Sequence, residues 1–153
     1  MTTLSAALAM ALLSTGLIWL VIEDLRRFEI APAAAILTAG GLLGLLIATG
    51  TNPVPPLLVA CAAGLLAIAI RRVNRAALGQ GDITLFALIG MASGPQFATE
   101  TAIAFGGASL LITTAFLVAR NKPIRLSSYR RHACPAAPAG SIAILLGLTL
   151  NLA

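Results

Sequence analysis

Acidic side chains are the first candidates for chemistry in this sequence, because an apolar chain that has so few of them has a use for each. Its 153 residues are 59% hydrophobic and 10% charged, and only five are acidic. An ionisable group is costly near the hydrocarbon of a membrane, so one found there is a functional candidate by default. The five candidates are Glu23, Asp24, Glu29, Asp82 and Glu100.

Asp24 and Asp82 are the pair with the most specific chemistry. Two carboxyl groups that share a site cannot both ionise cheaply, because like charges repel strongly in a poor dielectric. Such a pair holds one proton between its members. The ionised member can deprotonate a water while the protonated member hydrogen-bonds a peptide carbonyl. This is the chemistry of aspartic proteolysis, and it needs neither metal nor cofactor.

The sequence Gly79-Gln80-Gly81-Asp82 stands at the start of an apolar segment. The two glycines permit a positive φ and allow a second chain to approach the carboxylate closely. The structural alternative is that Asp82 is the N-cap of a helix that begins at Ile83, since aspartate is a favoured N-cap.

Asp24 also has a structural alternative. It lies beside Arg26 and Arg27 and could be an interfacial carboxylate paired with one of them. Other groups suited to chemistry are scarce, because the chain has one histidine and two cysteines that are far apart in sequence. We therefore expect no metal site and no cofactor.

Long apolar segments must position these residues. Each is close to the ~20 residues that a helix needs to cross a membrane. A sixth, shorter segment, Ile83–Ala92, either extends toward Ala76 or forms a broken helix. We predict an all-α membrane bundle of about six transmembrane helices, with residues 1–153 as a single integral membrane domain and a retained first helix rather than a signal peptide. The five long segments are Leu4–Ile22, Ala33–Thr49, Val54–Ile70, Ala102–Ala119 and Ala136–Leu152.

Basic residues predict the orientation of this bundle. The ten of them form three clusters, which follow the first, third and fifth long segments. These loops share one side in a six-helix serpentine, and the positive-inside rule makes that side cytoplasmic. Glu23, Asp24, Glu29 and Asp82 are then at the cytoplasmic boundary, and Glu100 is on the other side. We expect the basic loops to meet anionic lipid headgroups and not nucleic acid.

The residues around the two aspartates resemble the type IV prepilin peptidase family, membrane aspartic proteases with a GxGD motif. The resemblance is carried by Gly79-x-Gly81-Asp82 followed by Leu85, by the upstream segment 24–30, and by the proline-containing segment 134–140. Two departures stand out. Ile30-Ala31-Pro32 replaces the family's Ile-Pro-Asn, and Thr84 stands where a lysine is usual.

The resemblance implies a compact peptidase of the bacterial inner membrane, without a methyltransferase region, as in Flp/Tad pilus systems. Asp24 and Asp82 would be catalytic. Gly79 and Gly81 would let the substrate approach, and Glu23 or Glu29 would attract its leader unless both are only solvated charges. The substrate would be a prepilin-like protein with one helix and a short basic leader, cut at the cytoplasmic face. The alternatives are a non-catalytic membrane subunit, such as a scaffold or transporter component, and an inactive family member.

Overall fold

The computed structural model describes residues 3–27, 29–73, 79–95 and 136–152, together with 101, 103, 105, 107, 108 and 111. This part of the chain is helical and contains no strand, which confirms the all-α part of the predicted fold class. The six described residues from 101 to 111 are helical as well. The helices with defined bounds are α1 (Thr3–Arg27), α2 (Pro32–Ala48), α3 (Val54–Val73), α4 (Gln80–Ser93) and α5 (Ala137–Leu152).

Helix length and composition indicate a membrane protein. Within the described residues, two segments are long and apolar enough to cross a bilayer, Leu4–Arg27 in α1 and Val54–Val73 in α3. Helices α2 and α5 are apolar but shorter. The 14 residues of α4 span about 21 Å at 1.5 Å per residue, less than the ~30 Å of hydrocarbon. The six-helix count stays a prediction, since most of segment 102–119 lies outside the described residues.

The outer surfaces of α1 and α3 carry large apolar side chains. Leu4 is 78% exposed, and Leu58 and Leu65 on α3 are 65% and 66% exposed. Exposed apolar surface on this scale does not suit water, whereas a lipid tail solvates it without cost. These faces are therefore suited to contact with the bilayer.

Helices α1 and α2 form an antiparallel pair that glycine brings into close contact. A Cβ atom added at Gly16 would lie 2.5 Å from Thr38 Oγ1 and 2.7 Å from Thr38 N. One turn or so further along, Gly41 of α2 lies directly against the backbone of Leu13. Residue numbers rise along one helix as they fall along the other, so the helices run in opposite directions. Such small residues let helix backbones approach where hydrophobic burial offers little gain.

Gly40 and Gly44 have the spacing of a helix-packing motif, but only Gly44 is in a contact. A Cβ at Gly44 would lie 3.1 Å from that of Ala9, whereas one at Gly40 would meet nothing within 4 Å. Gly41, the neighbour of Gly40, also meets α1, at Leu13. The spacing of the glycines alone therefore does not determine which of them face α1.

Helix α4 packs antiparallel to α3. A Cβ at Gly64 of α3 would meet Ala87, and one at Gly90 of α4 would lie 3.2 Å from Ala60 Cα. Helix α5 runs parallel to α4, since Gly140 packs on Leu85 and Gly147 on Ser93. Helices α4 and α5 thus begin at the same end of the bundle, the end at which α3 finishes. We call it the acidic end because Asp82 lies there, as does Asp24 at the end of α1.

We predict opposite effects from adding one methyl group at two neighbouring glycines of α2. Gly41→Ala should lower the free energy of unfolding by about 1–3 kcal/mol, because the added Cβ has no room beside Leu13. Gly40→Ala should raise it by up to ~1 kcal/mol, because alanine favours the helix and the site is open. Thermal denaturation of the purified variants in detergent measures both. Equal effects would contradict the close approach of α1 and α2.

Candidate active site

Asp24 is buried because it continues the inward-facing side of α1. Leu13, Leu17 and Leu20 are at most 6% exposed and recur every three or four residues, the spacing of one helix face. Asp24 is the next position of that series and is 5% exposed. The helical repeat that builds the core therefore carries a carboxylate inward at the acidic end.

A hydrogen bond from α5 satisfies this buried carboxylate. The backbone N–H of Ala137 donates to Asp24 Oδ2 at 2.7 Å, and the N–H of Ala136 also interacts with the carboxylate. The first N–H groups of a helix have no partner within the helix and lie at its positive end. Asp24 thus caps α5 from another helix, which satisfies both the acceptor and the donors.

The predicted alternative for Asp24, an ion pair with Arg26 or Arg27, is wrong. Arg27 pairs instead with Glu23, its Nε lying 3.3 Å from Glu23 Oε2. Glu23 and Asp24 are neighbours in sequence but point in different directions around the helix, so one meets a surface arginine and the other meets α5. Asp24 has no cationic partner among the described residues.

Asp82 is the third residue of α4, which begins at Gln80. Its Oδ2 accepts a hydrogen bond of 2.7 Å from the backbone N–H of Gly79, the residue at the N-cap. The alternative in which Asp82 is the N-cap of a helix starting at Ile83 is therefore wrong in register. Asp82 does stabilise the start of α4, but from inside the first turn, and it stays half-buried.

Close packing, rather than unusual backbone geometry, accounts for the two glycines before Asp82. Gly79 has φ −70° and ψ 165°, and the positive-φ glycines of the described residues lie elsewhere. Neither glycine adopts the positive φ that its lack of a side chain permits. A Cβ at Gly81 would lie 2.9 Å from Ile30 Cγ1, and one at Gly79 would lie 3.1 Å from Asp82 Oδ2. The lack of a side chain at Gly81 leaves room for Ile30, in the link between α1 and α2, to pack against the start of α4.

Three helices bring Asp24 and Asp82 together at the acidic end. Asp24 holds the first turn of α5 through Ala137. Gly140, one turn further along α5, packs on Leu85, which is one turn after Asp82. The two carboxylates are near enough for their like charges to interact. The aspartate pair is therefore formed by contacts between helices that are distant in sequence.

The other acidic candidates differ in their exposure and in whether an ion pair neutralises their charge. Glu29 is exposed and lies in the link between α1 and α2, next to Ile30. Glu23 is half-buried and paired with Arg27, so its charge is partly neutralised. Glu100 lies outside the described residues. No group of three metal-binding side chains occurs in the described part of the chain.

Sequence reasoning missed the two groups that hold the site together, the N–H of Ala137 and the side chain of Ile30. A signal existed for the first. The segment Ala136-Ala137-Pro138 starts a helix with no Ser, Thr, Asp or Asn at its N-cap, so its N–H groups need an acceptor from elsewhere. Nothing in the local pattern marks Ile30, whose role depends on how α4 is placed.

One family of known proteins matches most of this chain. The model of the type IV leader peptidase family matches residues 11–119, more than half of the chain, and confirms the resemblance to prepilin peptidases. The matched segment contains both aspartates and residues 79–82, whereas α5 lies beyond it. No curated protein and no solved structure matches the chain. With this match and the two aspartates gathered at one end of an apolar bundle, the chain belongs to the type IV leader peptidase family, a family of proteases.

Proposed function

We propose that this protein is a membrane aspartic endopeptidase that removes the leader of type IV prepilin-like precursors, with Asp24 and Asp82 as its catalytic pair. The family supports a leader peptidase role. The burial of Asp24 beside Asp82 carries the assignment of the residues. Asp24 is 5% exposed, has no cationic partner among the described residues, and interacts with the charge of Asp82. A carboxylate in that position has little use as a surface charge.

The reaction follows from the chemistry of a carboxyl pair that shares one proton. The ionised member accepts a proton from water, and the resulting hydroxide attacks the scissile carbonyl carbon. The protonated member hydrogen-bonds the carbonyl oxygen, which takes up negative charge as the new C–O bond forms and the C=O π bond opens. The proton taken from water then passes to the leaving amine, the C–N bond breaks, and the carbonyl re-forms as a new carboxyl group. We assign the role of base to the pair as a whole and not to one of the two aspartates.

The backbone N–H donors fix both carboxylates for this reaction. Ala137 donates to Asp24 and Gly79 donates to Asp82, each at 2.7 Å. Hydrogen bonds to a charged group are short and directional, so each side chain is held in one orientation before substrate binds. Oδ1 of Asp82 has no hydrogen bond among the described residues, which leaves it available to water or to the scissile carbonyl.

The proposed substrate is a single-helix membrane precursor with a short basic leader, cut at the cytoplasmic face of the bacterial inner membrane. Its apolar segment would lie in the bilayer beside the exposed apolar faces of the bundle. The leader would approach Glu29, whose carboxylate is exposed and free of the ion pair that occupies Glu23. Flp/Tad-type pilins are the substrates we propose.

We predict that Asp24→Asn and Asp82→Asn each lower cleavage by about 100- to 10,000-fold, because the amide cannot take part in proton transfer. The measurement is the size of a candidate prepilin from the same genome, co-expressed with each variant. Glu100→Gln is the control, since it removes a carboxyl group that is predicted to face the other side of the membrane. Processing that survives either substitution would show that the aspartate pair is not catalytic.

Asp24→Ala separates catalysis from folding. Asparagine keeps an oxygen that can accept the Ala137 N–H, whereas alanine leaves that buried donor without a partner. Asp24→Ala should therefore lower the free energy of unfolding by about 1–3 kcal/mol, and Asp24→Asn should lower it much less. If wild type is folded but processes no native precursor, the inactive family member or the non-catalytic subunit becomes the better description.

We predict that Gly81→Ala reduces cleavage and that Ile30→Ala partly restores it. The added methyl group at Gly81 has no room beside Ile30 Cγ1, so the start of α4 must shift and carry Asp82 with it. Ile30→Ala removes the atoms that collide most closely. Cleavage rates of the single and double variants are compared by the same gel assay. Equal rates for Gly81→Ala with and without the second change would rule out this contact as the cause.

We predict that Glu29→Gln raises KM for a precursor with a basic leader by up to ~5-fold and leaves kcat unchanged. An exposed ion pair contributes about 0.2–1 kcal/mol, and added salt should remove the difference. Glu23→Gln is the matched control and should have a smaller effect, because Arg27 already occupies that carboxylate. An increase in KM that persists at high salt would contradict a role for the charge.

A further inference from the structure

A cavity of about 630 Å³ lies between α3 and α4 at the acidic end. Its volume falls in the range of roughly 300–1,000 Å³ that small-molecule sites occupy. Both helices contribute to its lining, which is partly basic, partly polar and partly apolar. The lining residues are Ile68, Arg71, Arg72, Gln80, Ile83 and Thr84.

The cavity is on the opposite side of α4 from the aspartate pair. Successive helix residues are rotated by about 100°, so positions 80, 83 and 84 share a face that Asp82 does not. The packing agrees, because Ala87 on the cavity side meets Gly64 of α3 and Leu85 on the other side meets Gly140 of α5. The cavity is thus separate from the proposed catalytic site, although both lie at the acidic end.

Two arginines give the cavity an unbalanced positive charge. Arg71 is half-buried and Arg72 is exposed. The ion pair between Arg27 and Glu23 is the one ion pair among the described residues, so neither arginine has an acidic partner there. A guanidinium offers a planar set of donors that matches the oxygens of a phosphate. Gln80 and Thr84 add a side-chain amide and a hydroxyl as further hydrogen-bonding groups.

The apolar part of the cavity lies on a helix face that is suited to contact with the bilayer. Ile68 is 41% exposed and belongs to α3, one of the two helices of membrane-spanning length. Arg71 and Arg72 follow it in the last turn of that helix, where the hydrocarbon gives way to headgroups. An occupant must therefore combine an anionic group at this boundary with an apolar chain beside Ile68.

We infer that this cavity binds an anionic phospholipid. The phosphodiester is held by Arg71 and Arg72 with help from Gln80 and Thr84, and an acyl chain lies against Ile68. Basic pockets between helices at a membrane boundary are suited to such headgroups. The basic leader of the proposed substrate does not fit here, because the same two arginines repel it. The inference does not depend on proteolysis, so it can fail or succeed independently of the proposed function.

The test is lipid retention by the purified full-length protein in neutral detergent, with equal amounts of phosphatidylglycerol and phosphatidylcholine and detection by native mass spectrometry. Wild type should retain phosphatidylglycerol in preference. R71Q/R72Q should weaken that binding by about tenfold or more, since it removes charged donors to the phosphate. R26Q/R27Q removes the same charge from the end of α1 and should weaken it far less.

Further measurements distinguish a specific lipid site from diffuse attraction of anionic lipid to a basic surface. Ile83→Trp fills the cavity without changing its charge and should also reduce retention, which covers the case in which R71Q/R72Q does not fold. Equal losses in both arginine pairs would mean diffuse attraction and would overturn the inference. So would a lack of preference for phosphatidylglycerol, binding of inorganic phosphate as tight as that of the lipid, or displacement of the lipid by the precursor protein.

Discussion

The hydrogen bond from the Ala137 N–H to Asp24 joins two groups that would each be costly alone. A buried carboxylate needs donors, because its transfer from water is strongly unfavourable unless it is satisfied. The start of α5 needs an acceptor, because its own sequence supplies no capping side chain. Their contact, at 2.7 Å, places α5 against α1. Helix α5 in turn packs on α4 through Gly140 and Leu85, and so determines where Asp82 lies.

The same contact explains how Asp24 can be buried without a counter-ion. Peptide N–H groups carry only partial charge, so they stabilise the side chain and fix its direction without forming an ion pair that water or substrate would have to break. Arginines lie nearby in the sequence, but Arg27 is occupied by Glu23 on the surface of α1. The structure thus pairs Glu23 with Arg27 at the surface of α1 and keeps Asp24 buried, near the half-buried Asp82.

Much of the fold could be predicted from the sequence, because apolar segments in a membrane protein map directly onto helices. Helix α3 begins at Val54 as predicted, and α2 and α5 begin within one residue of the predicted segments. The burial of Asp24 could also have been predicted from the spacing of Leu13, Leu17 and Leu20. The role of Ile30 could not, since it depends on the position of α4. The choice of Gly41 over Gly40 likewise depends on how α2 is rotated against α1, which local spacing does not determine.

Ala137 follows Asp24 by 113 positions in the chain, and this distance bears on how the protein is made. Asp24 and Asp82 are both synthesised well before α5, so a growing chain contains both carboxyl groups before it contains the donors that fix Asp24. Until α5 is in place, Asp24 has no Ala137 N–H to bind, and Gly140 cannot pack on Leu85. The arrangement of the two aspartates therefore belongs to the assembled bundle. Any activity that depends on it begins only after the ribosome has completed α5 and that helix has docked.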